Sequence, residues 1–260
     1  MRILVTGGTG TLGRAFVTAM RETTHGVRVA SRQPRPADFP GGATVEWARM
    51  DFRSGSGIAE AVEGVEAVLH AATVAGFGSE AVDVEGTRRL ASAARRAGVA
   101  HFVYPSIVGI DTVPLRYYRR KQRAETIVRE SGVPWTILRA TQFYELVDGL
   151  IGAAAHVPFV VPLPTAFRGQ PVAAQDVARR LQRVFENGPA GRAPDVCGPE
   201  RTTLGALARD WLAVRRVQKR VVRVPLPGRV ARAFRRGACT CEKPAPGAVR
   251  WRTWLEEQPP

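Results

Sequence analysis

Lysine is nearly missing from this chain. Only Lys121, Lys219 and Lys243 occur among 38 basic residues, and the rest are arginines. Acidic residues are outnumbered, 23 against 38, which leaves a formal charge of +15. That sign and size ordinarily point to nucleic acid or an anionic membrane. The arginines, however, lack the interleaved aromatic residues of a base-stacking module. Arginine in place of lysine, alongside abundant Ala and Gly, is what GC-rich coding writes on solvated surfaces. The expectation is no nucleic-acid partner, with an anionic small molecule the better-motivated ligand. Cysteine is also scarce. Cys197, Cys239 and Cys241 make an odd count, and no second pair completes the C-x-C into a four-ligand site, so neither a structural metal nor a disulfide framework is expected. Long apolar runs are absent: residues 150–167 are broken by His156, Pro158, Pro162 and Pro164. Arg2-Ile3-Leu4-Val5 gives way to Thr6-Gly7-Gly8 too soon for the apolar core of a secretion signal. A cytoplasmic protein with no membrane partner is expected, its oligomeric state left open.

What is present is a globular balance, 45% hydrophobic against 23% charged residues, enough to exclude disorder as the default. Nearly continuous apolar runs at 3–6, 27–30, 45–50, 67–70, 101–105 and 135–139 read as strands buried on both faces. Between them, 12–22, 82–97 and 117–131 carry amphipathic helical spacing, and Gly98 and Gly132 mark helix ends. The alternation predicts an α/β fold with a doubly wound parallel sheet. Its core would span 1–149, followed by a smaller substrate-facing lobe at 150–260, integrated with the core as one unit. That lobe reads as a Pro-rich stretch, a strand–helix unit at 171–185, a helix near 203–214 and a strand near 221–225, whereas 229–260 has no assignable role.

Thr6-Gly7-Gly8-Thr9-Gly10-Thr11-Leu12-Gly13 follows the first strand and opens the first helix. Gly7 and Gly10 allow a tight turn and close approach of backbone to a pyrophosphate, Gly13 lets the helix pack on the strand, and the helix N-terminus attracts the anion. This turn, with Thr9, Thr11 and Leu12, is the candidate dinucleotide site. The second strand ends Ala30-Ser31-Arg32, where an NAD site would carry a carboxylate; a hydroxyl and a guanidinium suit the 2′-phosphate of NADP(H), with Arg35 a second cation. Arg49 and Arg53 also lie near these segments. Asp51-Phe52 and Ala71-Ala72-Thr73 end the third and fourth strands, where such a sheet meets the adenine and the nicotinamide ribose.

Tyr117 and Lys121 are four residues apart at the start of a predicted helix, so they share a face, and Ser106 lies just past the preceding strand. A phenol becomes a useful acid–base group when an ammonium stabilises its phenolate. Ordinary amphipathic helices carry the same spacing, and Tyr118 offers a second phenol. Thr141, Gln142 and Phe143 follow the sixth strand, where they could line a substrate pocket or simply pack the core.

Taken in order, the segments 6–13, Tyr104-Pro105-Ser106-Ile107-Val108-Gly109, Tyr117-Tyr118-Arg119-Arg120-Lys121 with Ala124-Glu125, and Trp135-Thr136-Ile137-Leu138-Arg139 resemble the short-chain dehydrogenase/reductase superfamily. Within it, they resemble the atypical, NmrA-like NAD(P)H-binding branch, over most of the chain. The resemblance implies Tyr117 as the acid–base residue, Lys121 as the partner that lowers its pKa and also holds the cofactor ribose, and Ser106 as the hydroxyl orienting a carbonyl. The implied activity is NADPH-dependent reduction of a carbonyl or quinone-like small molecule. Two other readings stay open: a non-catalytic NADP(H)-sensing regulator, and an isomerase or dehydratase that retains its NADP.

Overall fold

In the computed structural model, residues 1–40, 44–74, 80–242 and 245–258 are described. They divide into two compact units. The first comprises Met1–Ser106, Arg116–Leu138 and Ala178–Ala193; the second comprises Ile107–Leu115, Arg139–Val177 and Pro194–Pro260.

The first unit is built on β1 (Arg2–Thr6), β2 (Gly26–Ser31), β3 (Glu46–Arg49), β4 (Ala67–His70), β5 (His101–Ile107) and the start of β6 (Trp135–Ala140). Their order across the sheet is β6-β5-β4-β1-β2-β3, with β9 (Gly191–Arg192) beside β6. The pairs β3–β2, β2–β1, β1–β4 and β4–β5 are parallel. The chain runs outward from β1 to β3 and then returns to the other side for β4, so the order reverses between β1 and β4. A parallel sheet opens a ligand crevice at the carboxyl ends of such strands. Every residue of β4 is buried, and so are the first six of β5, because helices cover both faces.

The covering helices follow from small and apolar residues at helical spacing. In α1 (Thr11–Met20), Leu12, Gly13, Phe16, Val17 and Met20 form the buried stripe. Phe16 meets Phe185 of α6 (Ala174–Asn187) with ring centroids 5.5 Å apart, which places the later part of α6 in this unit although the sequence puts it in the C-terminal lobe. The expected helix over 82–97 is two structures: a π-helical turn (Ala81–Gly86), then α3 (Thr87–Arg96). The wider π turn leaves Asp83 buried among the strand ends. A short α2 (Ile58–Val62) and α4 (Arg116–Arg129) complete the unit.

The second unit packs α5 (Tyr144–Ala154), α7 (Leu204–Val214) and α9 (Trp251–Glu257) around one core. The Tyr144 ring lies 5.3 Å from Trp251 and 5.6 Å from Trp254. Short pieces surround it: β7 (Val160–Leu163) parallel to β12 (Arg220–Arg223), β8 (Arg168–Gly169) antiparallel to β11 (Thr202–Thr203), and β10 (Val196–Cys197) between Ala140 and β13 (Ala245–Pro246). α8 (Arg229–Arg236) follows β12. No helix among the described residues is long and apolar enough to cross a membrane.

Several sequence expectations are corrected here. The Pro-rich stretch holds α5, which ends at Ala154 before the prolines begin, and β7, whose Pro162 is tolerated in a two-stranded piece. At 171–185 there is only a single bridge from Val172 to Phe143 before α6. The unassigned tail forms α8 and α9, and Trp251 and Trp254 are core residues. The structure also joins Cys197 and Cys241 as a disulfide across 44 residues of chain, with their Cα atoms 6.4 Å apart, against the expectation of no disulfide. The C-x-C spacing drew attention to Cys239, which is buried and free of a disulfide, whereas the fold brings β10 to the segment after α8.

Two buried histidines pin the first unit. Thr87 Oγ1 donates to the Asp83 carbonyl at 2.7 Å, so His70 Nε2 donates to Thr87 Oγ1 at 2.9 Å and its Nδ1 accepts from Thr6 Oγ1 at 2.7 Å. Thr6 Oγ1 in turn accepts from the Ala72 N–H at 3.3 Å. His101 Nε2 similarly bonds Thr136 Oγ1 at 2.8 Å, tying β5 to β6. Burial, together with the Lys121 charge, lowers His70 from 6.5 to about 3, and burial lowers His101 to about 4. The unfolded chain therefore takes up protons near pH 6.5 that the folded chain refuses. Stability is full above that value and is lost as the pH falls toward the folded values. Denaturant titrations at pH 6.5 and pH 5 should differ by roughly 2 kcal/mol per histidine, at ~1.4 kcal/mol per pH unit. His101→Gln should remove about half of that difference; a profile flat between these two pH values would mean that the imidazoles are not held neutral.

Candidate functional site

The β1–α1 turn is shaped by contacts that leave no room for side chains. A Cβ on Gly7, whose φ is +71°, would lie 2.6 Å from the Ala72 nitrogen, and one on Gly13 would lie 2.2 Å from the Gly7 carbonyl oxygen. The turn thus runs directly against the end of β4, and α1 starts directly against the turn. Gly10 is the N-cap of α1 and supplies no side-chain acceptor, and the first turn carries no acidic residue. Thr9, Gly10 and Thr11 are exposed at this positive helix end, while Leu12 and Gly13 are buried. A backbone cradle whose helix terminus no side chain satisfies fits a pyrophosphate.

Around it stand the other residues that the sequence singled out. Ser31 ends β2, and its Oγ accepts from the Gln33 N–H at 3.1 Å, leaving its own O–H to donate. Arg32 is exposed and forms no hydrogen bond or ion pair among the described residues. Arg35 instead donates to the Val45 carbonyl at 3.3 Å and lies over the Phe39 ring. Asp51 accepts from the Arg53 N–H at 2.9 Å, so it shapes its own turn; Phe52 is buried with its ring 5.3 Å from that of His70. Ala71 and Ala72 are partly buried beside the glycine turn, and Thr73 is exposed just beyond them.

Thr73 is the residue that meets Tyr117. The two hydroxyls are 3.2 Å apart, and Thr73 Oγ1 also donates to Asp83 Oδ1 at 2.9 Å, so the phenol is the donor to Thr73. Asp83 further accepts from the Val74 N–H at 3.0 Å and from Arg120 Nε at 3.1 Å. Arg120 lies 5.8 Å from the Tyr117 ring centroid. Sequence reasoning missed Asp83 and Arg120. They are separated by 37 residues, and no local pattern marks an aspartate within A-V-D-V-E-G as the carboxylate that organises a site.

Lys121 is placed differently from the expectation. Its Nζ donates to the Pro105 carbonyl at 2.8 Å and sits 4.0 Å above the Tyr104 ring, with no hydrogen bond to Tyr117. Burial lowers this ammonium from 10.5 to about 8, against the opposing charges of Asp83 and Glu125. The Tyr117 phenol is raised above its ordinary value, chiefly by burial and further by the Asp83 charge, with the Thr73 hydrogen bond and Arg120 pulling the other way. Burial and Asp83, opposed by Thr73 and Arg120, therefore set this phenol. Tyr118 is buried beside it.

Ser106 lies within β5 rather than past it, next to Pro105, whose carbonyl holds Lys121. Its Oγ is buried and has no hydrogen-bond partner. A buried hydroxyl without a partner costs on the order of 1–3 kcal/mol, so it marks a place where a ligand atom belongs. Thr141, Gln142 and Phe143 belong to the second unit, and their polar groups are largely engaged there. Thr141 Oγ1 donates to the Gln170 carbonyl at 2.6 Å, the Gln142 carbonyl accepts from the Val172 N–H at 2.9 Å, and Phe143 precedes α5 as its N-cap.

Comparison with known proteins follows the same lines. The family pattern described as NAD(P)H-binding matches residues 7–187. The (4-alkanoyl-5-oxo-2,5-dihydrofuran-3-yl)methyl phosphate reductase of Streptomyces griseus subsp. griseus is 30% identical over 207 residues, which is 77% of this chain and 69% of that protein. A photosystem II assembly factor of Synechocystis sp. is 32% identical over 197 residues, 72% of this chain and 59% of the relative. Among solved structures, an NADPH-dependent quinone oxidoreductase from Escherichia coli, complexed with NADPH, gives a TM-score of 0.81 over 97% of this chain and 98% of that one. Its identity is 19%, so this likeness establishes the fold alone. With a glycine cradle at the strand-order reversal and a family match over most of its length, the chain belongs to the NAD(P)H-binding family of the NmrA-like, atypical short-chain dehydrogenase/reductase superfamily.

Proposed function

We propose that this chain is an NADPH-dependent reductase of a carbonyl or quinone-like small molecule, with Tyr117 as the general acid. The observation that carries this reading is the buried, unpartnered Ser106 Oγ at the carboxyl end of β5, beside a wall that also holds a phenol on Thr73. A hydroxyl in that state has a donor to offer a substrate oxygen. The reduced nicotinamide, when bound, supplies the hydride.

The chain's own residues do the rest. The glycine turn and the N-terminus of α1 hold the pyrophosphate, and Ser31 with Arg32 receives the 2′-phosphate. Lys121 uses one donor on the Pro105 carbonyl and keeps others for the ribose hydroxyls. Ser106 orients the substrate oxygen by donating to it. The Tyr117 phenol, held protonated by burial, turns its O–H from Thr73 to that oxygen and gives up the proton. Thr73 then swings its own O–H from Asp83 to the phenolate, and the Arg120 guanidinium beside the ring moderates the negative charge. Asp83 and Thr73 act as positioning residues in this scheme.

One observation favours a second reading, a non-catalytic NADP(H)-sensing regulator: Lys121 bonds the Pro105 carbonyl and makes no bond to Tyr117.

One measurement separates the readings, and a second tests the cofactor preference. NADPH oxidation against a panel of quinones, aromatic ketones and aldehydes should show turnover in the wild type, and Tyr117→Phe should lower kcat by about 10²–10⁴-fold with NADPH affinity nearly unchanged. Wild-type turnover in the variant would remove Tyr117 from the chemistry; tight NADPH binding without turnover in either protein would favour the sensor. Fluorescence titration should also find NADPH bound more tightly than NADH, with Arg32→Ala weakening NADPH by roughly tenfold and leaving NADH unchanged, as expected for one lost charge-assisted bond. Equal affinities in the wild type would contradict the assignment of Arg32.

A further inference from the structure

The second unit carries a surface that the nucleotide chemistry does not use. Between Asp210 and Glu242 the chain has no acidic residue, yet it holds Arg215, Arg216, Lys219, Arg220, Arg223, Arg229, Arg232, Arg235 and Arg236. Among these, Arg216, Arg220 and Arg223 are exposed and have no carboxylate partner among the described residues. β12, with Arg220 and Arg223 at its ends, pairs in parallel with β7, the strand that follows an apolar tip. His156, Val157, Pro158 and Phe159 are all exposed, and the Phe159 side chain is 85% exposed. Leu146 and Leu150, one turn apart on α5, are also exposed, and Val222 lies between the arginines of β12.

The tip is held rather than loose. Lys219 Nζ donates to the Ala155 carbonyl and, at 3.0 Å, to the Val157 carbonyl, and the Arg220 N–H donates to the Phe159 carbonyl at 3.4 Å. Phe159 and Arg216 are the non-glycine residues with positive φ among the described residues, at 64° and 54°. A bulky aromatic in that region is strained, and strain of this kind persists where the surrounding structure enforces it. Here the enforced conformation presents a phenyl ring to solvent at the end of β7, beside the cationic strand β12.

We propose that this face docks the protein on an anionic lipid surface, with Phe159 and Val157 entering the interface and Arg216, Lys219, Arg220 and Arg223 meeting the lipid phosphates. Peripheral attachment needs two signals together, an apolar insertion and a cationic patch, and each alone is weak. A nucleic acid would reward the arginines but gain nothing from Val157, Leu146 and Leu150. A second copy meeting this face about a two-fold axis would set like charges against each other. A lipid interface accepts both components. Composition alone points away from a membrane partner, because it cannot show that β12 pairs with the strand that follows the exposed tip.

The test is co-sedimentation of the full chain with vesicles of phosphatidylcholine alone and of equal parts phosphatidylcholine and phosphatidylglycerol, at low and high salt. The wild type should bind the anionic vesicles in a salt-sensitive way and the neutral ones weakly. Phe159→Gly keeps the backbone conformation available, and Arg220→Gln with Arg223→Gln leaves the strand backbone intact. Each variant should weaken binding by about tenfold or more with the thermal midpoint not lowered and NADPH affinity unchanged. Equal binding to both vesicle types, or binding unaffected by the substitutions, would overturn the proposal. So would a vesicle-free dimer that Phe159→Gly dissociates, or retention on nucleic acid that the arginine substitutions abolish.

Discussion

The relay from Ala72 through Thr6, His70 and Thr87 to the Asp83 carbonyl is the constraint on which the first unit depends. It joins the ends of β1 and β4, the two strands between which the sheet order reverses, to the turn that carries Asp83. Each hydroxyl both accepts and donates, so the direction of every bond follows from the next, and His70 is fixed as its neutral, Nε2-protonated form. The glycine turn can run within van der Waals distance of Ala72 because this relay holds the two strand ends in register. The same relay fixes the π turn, and through it the carboxylate that receives Thr73 and Arg120.

The site concentrates charge in a buried wall at the carboxyl ends of β4 and β5. Asp83 and Arg120 form a shielded ion pair, Lys121 is buried on a carbonyl and an aromatic face, and Ser106 is left without a partner. Buried polar groups are ordinarily satisfied, and breaking one partner of a buried pair is costly. A wall whose charges Asp83, Arg120 and Lys121 are matched while the Ser106 hydroxyl is not is rigid toward the protein and incomplete toward a ligand. Burial also keeps the Tyr117 phenol protonated, which suits an acid more than a base.

Much of the first unit could be read from residue order. Apolar runs gave the six principal strands to within about two residues, since strands covered on both faces, such as β4 and β5, need apolar side chains at every position; the edge strand β3 departs from the expectation of burial on both faces, its residues being exposed or half-buried. Gly98 and Gly132 adopt φ of +71° and +75° just past α3 and α4, as helix ends require. The glycine fingerprint identified its own turn because its function is local: the glycines contact backbone a few residues away. Asp83 was invisible for the opposite reason. Its partners Thr73 and Arg120 come from different elements, and the π turn that aims it leaves no spacing signature.

In the second unit sequence pattern was a weaker guide, because its strands are short and its core joins segments distant in the chain. Tyr144, Trp251 and Trp254 pack together from segments more than a hundred residues apart, and Cys197 meets Cys241 across elements. The sequence by itself determined what depends on near neighbours: the strand and helix periods, the α/β class and the anion-binding turn. Tertiary structure alone decided that Lys121 lies against Pro105 and Tyr104 rather than Tyr117, that Ser106 is buried without a partner among the described residues, and that the arginine-bearing β12 pairs with the strand that follows Phe159. These depend on where separate elements come to rest, and packing of the whole core sets that position, which no spacing along the chain encodes.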